Sequence, residues 1–208
     1  MAKQNTTTKN SANRTAEITR QTKETKVRVA LDLDGAGASG CRTGVGFFDH
    51  MLDLLARHGR LDLDVDVRGD LGTGSHHTVE DTGLVLGQAL SEALGDRAGI
   101  VRYGHAVVPM DESRAACTLD ISGRPFARIE GFDQLPAGDI AGFENELAEE
   151  FFRAVASVAR LTLHLELQTG TNAHHMIEAC FKAFARALRT AAAIDPSESG
   201  IPSTKGVL

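Results

Sequence analysis

Several things are scarce in this chain of 208 residues, and each scarcity closes a class of function. There is no tryptophan, and the three cysteines, Cys41, Cys117 and Cys180, are odd in number and show no CxxC spacing. Neither a disulfide framework nor a structural zinc knuckle is suggested, and a reducing cytoplasm is the expected compartment. Basic residues are outnumbered, 22 Lys and Arg against 28 Asp and Glu, for a formal net charge of −6. No basic stripe is available for nucleic acid or an anionic membrane. No apolar run approaches the roughly 18 residues that cross a bilayer, and the polar start "MAKQNTTTKNSANR" lacks the apolar core of a secretion signal. Gly-x-Gly-x-x-Gly and Walker-type loops are missing too, which argues against a nucleotide-binding α/β fold.

What is there repeats itself. Residues 1–13 are polar and without periodicity, the composition of a disordered tail. From Val27 the pattern changes: "VRVALDL" puts Val27, Val29, Leu31 and Leu33 on one face, the two-residue period of a half-buried strand. "LDLDVDV" (61–67) shows the same alternation, and "LTLHLEL" (161–167) repeats it about a hundred residues on, each preceded by an arginine, Arg60 and Arg160. Each of these two strands leads through a glycine-containing turn into a paired-histidine cluster, "HHTVE" (76–80) or "HHMIE" (174–178). Each cluster opens an apolar-periodic helix, marked by Ile177, Phe181, Phe184 and Leu188 in the second case and by Val79, Leu86 and Leu90 in the first. "ALDLDGAG" and "TLDISGRP" correspond more weakly. The chain therefore reads as an internal duplication with halves at 14–100 and 101–195 and a C-terminal arm at 196–208. Strands first and a long helix last in each half predict an α+β class, two sheets each covered by helices on one face.

The spacing has chemical content. On a helix, residues i and i+4 lie close together, whereas neighbours point about 100° apart. His76 with Glu80, and His174 with Glu178, can each grip one ion, while His77 and His175 point elsewhere and can serve only a second ion. If the halves meet across an approximate two-fold axis, one metal takes His76, Glu80 and His175, and the other takes His174, Glu178 and His77. Counting back ten residues from Arg60 and from Arg160 reaches His50 and Glu150, candidates for a further ligand to each. Imidazole and carboxylate without thiolate suit Mn, Fe or Zn, with the oxygen share favouring Mn. The competing view is that the histidine pairs cap helix starts. His105 and His164 have no matched partner and read as structural or surface residues.

"FFDHM", "HHTVEDTGLVLGQAL", "RYGHAVVPMDE", "DISGRPF", "NAHHMIEACFKAFARALR" and "PSTKG" together resemble the imidazoleglycerol-phosphate dehydratase family of histidine biosynthesis, from about Arg14 to the C-terminus. The resemblance implies a duplicated subunit of the ribosomal-protein-S5-domain-2-like type, trimers assembled into a 24-subunit homo-oligomeric shell, and two Mn2+ per active site. It implies removal of water from imidazole glycerol phosphate, with the substrate's imidazole as electron sink, to give imidazole acetol phosphate. Carried onto this sequence, the metal ligands are His50, His76, His77, Glu80, His174, His175 and Glu178. Proton transfer and substrate contact fall on Glu24, His58 and Lys182, with Glu24, Glu178 and Lys182 as the catalytic set. The phosphate pocket falls on Arg102, Arg124, Ser203 and Lys205. Two positions depart from the family pattern: Glu150 stands where histidine is usual, and Leu54 where glutamine is usual. Glu150 keeps a ligand atom but adds negative charge. These departures leave two other functions open, a non-catalytic metal-dependent assembly protein and a binuclear hydrolase of small phosphates.

Overall fold

The computed structural model describes residues 14–208, so the expected disordered tail, 1–13, lies outside the described residues. The first half contains β1 (Thr15–Gln21), β2 (Thr25–Asp32), β3 (Ser39–Arg42), α1 (Gly46–Gly59), β4 (Asp62–Gly69) and α2 (His76–Leu94). The second contains β5 (Tyr103–Met110), β6 (Ser113–Asp120), β7 (Phe126–Glu130), the short pair β8 (Asp139–Ile140) and β9 (Phe143–Glu144), α3 (Leu147–Ala159), β10 (Thr162–Thr169) and α4 (Ala173–Ala192). The sheets have orders β1-β2-β4-β3 and β5-β6-β10-β7. In both, the last strand of the order pairs in parallel and the other pairings are antiparallel. The two halves thus share one topology, the α+β duplication expected from the repeats, with the β8–β9 hairpin as an insertion.

The alternating strands bury the predicted faces. Val27, Val29, Leu63, Val65, Leu163 and Leu165 are all at most 2% exposed. In register, Val29 lies opposite Ile18 on one side and Val65 on the other. The reverse face is polar, with Arg28 bridging Glu17 at 2.8 Å and Asp64 at 2.6 Å. Arg60 and Arg160 mark the same joint twice: both end a helix in the left-handed conformation, φ 54° and 56°, and the next backbone N–H bonds back to Ala56 or Ala156.

The helices lie between the sheets and pack across the halves. Gly83 sits against Phe151 and Ala154, and Gly87 against Val155 and Ala159, so α2 of the first half and α3 of the second run parallel in close contact. α1 and α4 do the same, Phe47 meeting His174 near their starts and Gly59 approaching Ala185 near the other end. Being covered by the β5-β6-β10-β7 sheet and by α1, α4 is buried nearly all round, with Ile177, Phe181, Phe184 and Leu188 at 1% exposure or less. Gly104 of β5 lets strand and helix touch, since a Cβ there would stand 2.0 Å from the Ala187 carbonyl oxygen. No helix among the described residues is long and apolar enough to cross a membrane.

Candidate active site

Because α1 and α4 run parallel, their first turns converge. The Phe47 ring meets His174 edge-on, centroids 5.0 Å apart, and the His50 ring lies 5.9 Å from that of His174. His174 Nε2 is 3.0 Å from Glu178 Oε2, and His50 Nε2 is 3.5 Å from the same oxygen. Among the described residues, the ligand atoms of His50, His174 and Glu178 form one group within 4.8 Å of each other. Two imidazoles and a carboxylate, open on one side because His50 is exposed, fit a divalent cation of the Mn, Fe or Zn kind.

Glu178 is 5% exposed, and a carboxylate so buried needs a counter-charge. Lys182, one helical turn on, supplies it with Nζ 2.6 Å from Oε1. Burial pushes the Glu178 carboxyl up, but Lys182, with His174 and His50, outweighs burial and holds it below the usual carboxylate range. His58, further along α1, is half-buried; burial, then Lys182 and Arg186, push its pKa down, which favours a neutral ring at pH 7.

The other histidine pair opens α2. His76 Nε2 lies 3.8 Å from Glu80 Oε2, and His77 faces away from them, as neighbours on a helix must. Neither pair caps its helix. Asn172 caps α4 by accepting from the His174 and His175 N–H groups, while Ser75, ahead of α2, donates its hydroxyl to Glu144. Glu24 projects from the turn between β1 and β2, 3.9 Å from His77 Nε2. That turn is fixed: Thr22 Oγ1 accepts from the Glu24 and Thr25 N–H groups at 3.1 and 2.9 Å. Buried Asp81 ties it to α2 by accepting from the Thr25 hydroxyl and pairing with Arg20 at 2.5 Å.

Two carboxylates at the site were not singled out in the sequence, Asp70 and Glu112. Asp70 lies 3.0 Å from His77 Nδ1, and Glu112 2.8 Å from His175 Nδ1. Each raises the pKa of its histidine. The Glu112 carboxyl is in turn held far below its usual range, by His175 first and then by the Asn172 N–H. The duplication carried a signal for Glu112. It stands immediately before β6 as Glu24 stands immediately before β2.

Arg102, Arg124, Ser203 and Lys205 line an open cleft of about 850 Å³ between the start of β5, the loop that follows β6 and the C-terminal arm. Arg102 makes a two-point contact with Asp120, at 2.8 and 3.1 Å, and donates to the Pro202 carbonyl at 2.7 Å, so it pins the arm to the second half. The cleft shares no lining residue with the His50, His174 and Glu178 group.

The family model described as imidazoleglycerol-phosphate dehydratase matches residues 43–188. That span takes in both histidine pairs, His50, His58 and Lys182. The chain belongs to the imidazoleglycerol-phosphate dehydratase family. Curated relatives agree: the imidazoleglycerol-phosphate dehydratase of Azorhizobium caulinodans is 58% identical over 94% of this chain and 98% of its own length. That of Xanthobacter autotrophicus is 55% identical over the same shares. The crystal structure of imidazoleglycerol-phosphate dehydratase from Staphylococcus aureus superposes with a TM-score of 0.78 at 41% identity, covering 87% of this chain and 99% of that one. Membership makes the chain a hydro-lyase. At the position where the dehydratase pattern has glutamine, Leu54 of α1 is half-buried and packs against the hydrophobic core. Glu150 is half-buried on α3 at the level of Glu80, since Gly83, one turn beyond Glu80, already touches Phe151. Glu150 is not gathered with His76 and Glu80 into a group as tight as that of His50, His174 and Glu178.

Proposed function

We propose that the chain converts imidazole glycerol phosphate to imidazole acetol phosphate, in histidine biosynthesis, at a site holding two Mn2+ ions. The observation that carries this reading is the open group of His50, His174 and Glu178 with Lys182 against its buried carboxylate. His50, His174 and Glu178 would hold one ion, and His76 and Glu80, with Glu150 as a carboxylate in place of the family's histidine, the other. His77 and His175 complete the two sets. When bound, the metals supply Lewis-acid stabilisation of the negative charge that develops on the substrate's imidazole.

The chain's own groups do the rest. Glu24, exposed on a fixed turn beside His77, takes the proton from the carbon chain, a position at which no carbonyl assists. Lys182, paired with the ionised Glu178, gives the proton that the departing hydroxyl takes up, and loss of water leaves an enol that becomes the ketone. His58, held neutral, contributes a hydrogen bond without adding positive charge beside Lys182. Arg102, Arg124, Ser203 and Lys205 bind the phosphate, whose two charges suit guanidinium forks and a hydroxyl. The separation of this cleft from the histidine cluster supports a site completed by neighbouring subunits, in the trimer and 24-subunit shell of the resemblance. A cytoplasmic enzyme acting on a small phosphate, without nucleic acid or membrane, is consistent with the charge and composition.

Incubating the Mn2+-loaded protein with imidazole glycerol phosphate tests the reading. The ketone product is expected. Release of inorganic phosphate instead would favour a binuclear hydrolase, and no turnover would favour the metal-dependent assembly protein.

A further inference from the structure

We infer that Asp70 and Glu112 are positioning residues that lock the second histidine of each pair, His77 and His175, with Nδ1 protonated and Nε2 free to bind metal. The inference rests on the ligand assignment above and extends it beyond the ligands. A second histidine points about 100° away from the first, so it cannot use the glutamate four residues beyond the first for orientation. Something off the helix must hold it. In both halves that something is a carboxylate on Nδ1, at 3.0 Å from Asp70 and 2.8 Å from Glu112. A carboxylate only accepts, so Nδ1 carries the hydrogen and the lone pair is left on Nε2. For His77 the direction is visible, because Nε2 faces Glu24 at 3.9 Å.

The two carboxylates are not equivalent by descent. Asp70 follows β4, whereas Glu112 precedes β6, the position that Glu24 holds before β2. In the second half the turn carboxylate is spent on orienting its histidine, and it is fixed by N–H groups of Thr171 and Asn172 at 3.2 and 2.9 Å and by the Ser113 hydroxyl at 2.9 Å. In the first half Asp70 has taken over orientation. Glu24 is thereby released from bonding an Nδ1 and stands on the metal-facing side of His77. One pair of matched positions has divided into an orienting group and a proton-transfer group.

The test uses the full-length protein, labelled with 15N-histidine and stripped of metal, and two variants, Asp70→Ala and Glu112→Ala. With pH raised until the rings have lost their charge, nitrogen shifts of the wild type should show His77 and His175 protonated on Nδ1. Each alanine variant should return its own histidine to the Nε2-protonated form and bind Mn2+ about 10–100-fold more weakly, the usual effect of removing a ligand's outer partner. The carboxylate-retaining Asp70→Glu should recover part of that loss. Variants that keep the Nδ1–H form, or that bind Mn2+ as tightly as wild type, would overturn the inference. If Glu112→Ala does not fold, Asp70→Ala decides alone, since among the described residues the Asp70 side chain hydrogen-bonds only the side chains of His77 and Thr73. A wild type that takes up no Mn2+ would remove the ligand assignment, and this inference with it; equal uptake by wild type and variants removes this inference only.

Discussion

Exchanging Lys182 for Met removes the ammonium 2.6 Å from Glu178 and keeps most of the aliphatic stem, and in the metal-free protein two responses then compete. Glu178 could remain ionised and unpaired, which for a buried charge costs about 3–5 kcal/mol. It could bind a proton at pH 7.5, about 3 pH units above an ordinary glutamate value, for about 4 kcal/mol at ~1.36 kcal/mol per unit. The two costs are alike, so about 4 kcal/mol sets the penalty at pH 7.5. For a chain of this size ~4 kcal/mol lowers Tm by about 8–16 °C. The pH dependence follows from the Glu178 carboxyl, which burial pushes up and Lys182 holds below the usual range. A depressed carboxyl contributes above its unfolded value near 4.3 and loses that contribution as pH falls through the folded one. The gap between wild type and K182M should therefore be widest near pH 7.5 and narrow steadily as pH falls toward about 4. Scanning calorimetry of EDTA-treated protein across that range reads it. A gap that stays equal, or widens in acid, would refute the reasoning.

Gly87→Ala reverses the usual helix rule: alanine normally gains about 1 kcal/mol in a helix interior. Here its Cβ would stand 2.9 Å from the Val155 carbonyl oxygen and 3.1 Å from the Ala159 nitrogen, so urea melts should show a loss of about 1–3 kcal/mol. Asp62 accepts from the N–H groups of Ala36, Gly37 and Ala38 at 2.8–3.0 Å, and those of Ala38 and Ala36 chiefly hold its carboxyl below the usual range. A depressed carboxyl contributes above its unfolded value near 4 and loses that contribution as pH falls through the folded one. The stability gap between wild type and Asp62→Ala should accordingly be present at pH 6 and shrink between pH 4 and pH 2 in a denaturation series. Glu80→Gln should leave one Mn2+ per subunit fewer by elemental analysis and disperse large assemblies on gel filtration; full metal content would contradict Glu80 as a ligand.

How far the fold could be read in advance depended on which faces are one-sided. β2, β4 and β10 announce themselves because one face is apolar and the other charged, and α4 through its aromatic and aliphatic spacing. β3, "SGCR", is short and polar and is a strand only because β4 offers it an edge, so no local pattern could reveal it. The partnering of α1 with α4 and of α2 with α3 was equally hidden, since it rests on contacts far apart in sequence, Phe47 with His174 and Gly83 with Ala154, through glycines that look merely small. Counting back from Arg60 found His50 but not the ion it serves; only the parallel meeting of α1 and α4 puts it beside His174 and Glu178. Asp70 and Glu112 stayed unseen because a carboxylate that orients a histidine carries no spacing signature of its own.

The crossed pairing of helices has a historical consequence. A half-length precursor, with one helix of each kind, would keep the sheet beneath its HHxxE helix but lack the helix beside it, and would obtain one only by associating with a second copy of itself. Joining the two copies in one gene preserved the geometry while ending the obligation of symmetry. From then on a mutation could alter one side of the molecule alone, and the matched positions that now differ, His50 with Glu150 and Glu24 with Glu112, are what such freedom leaves behind.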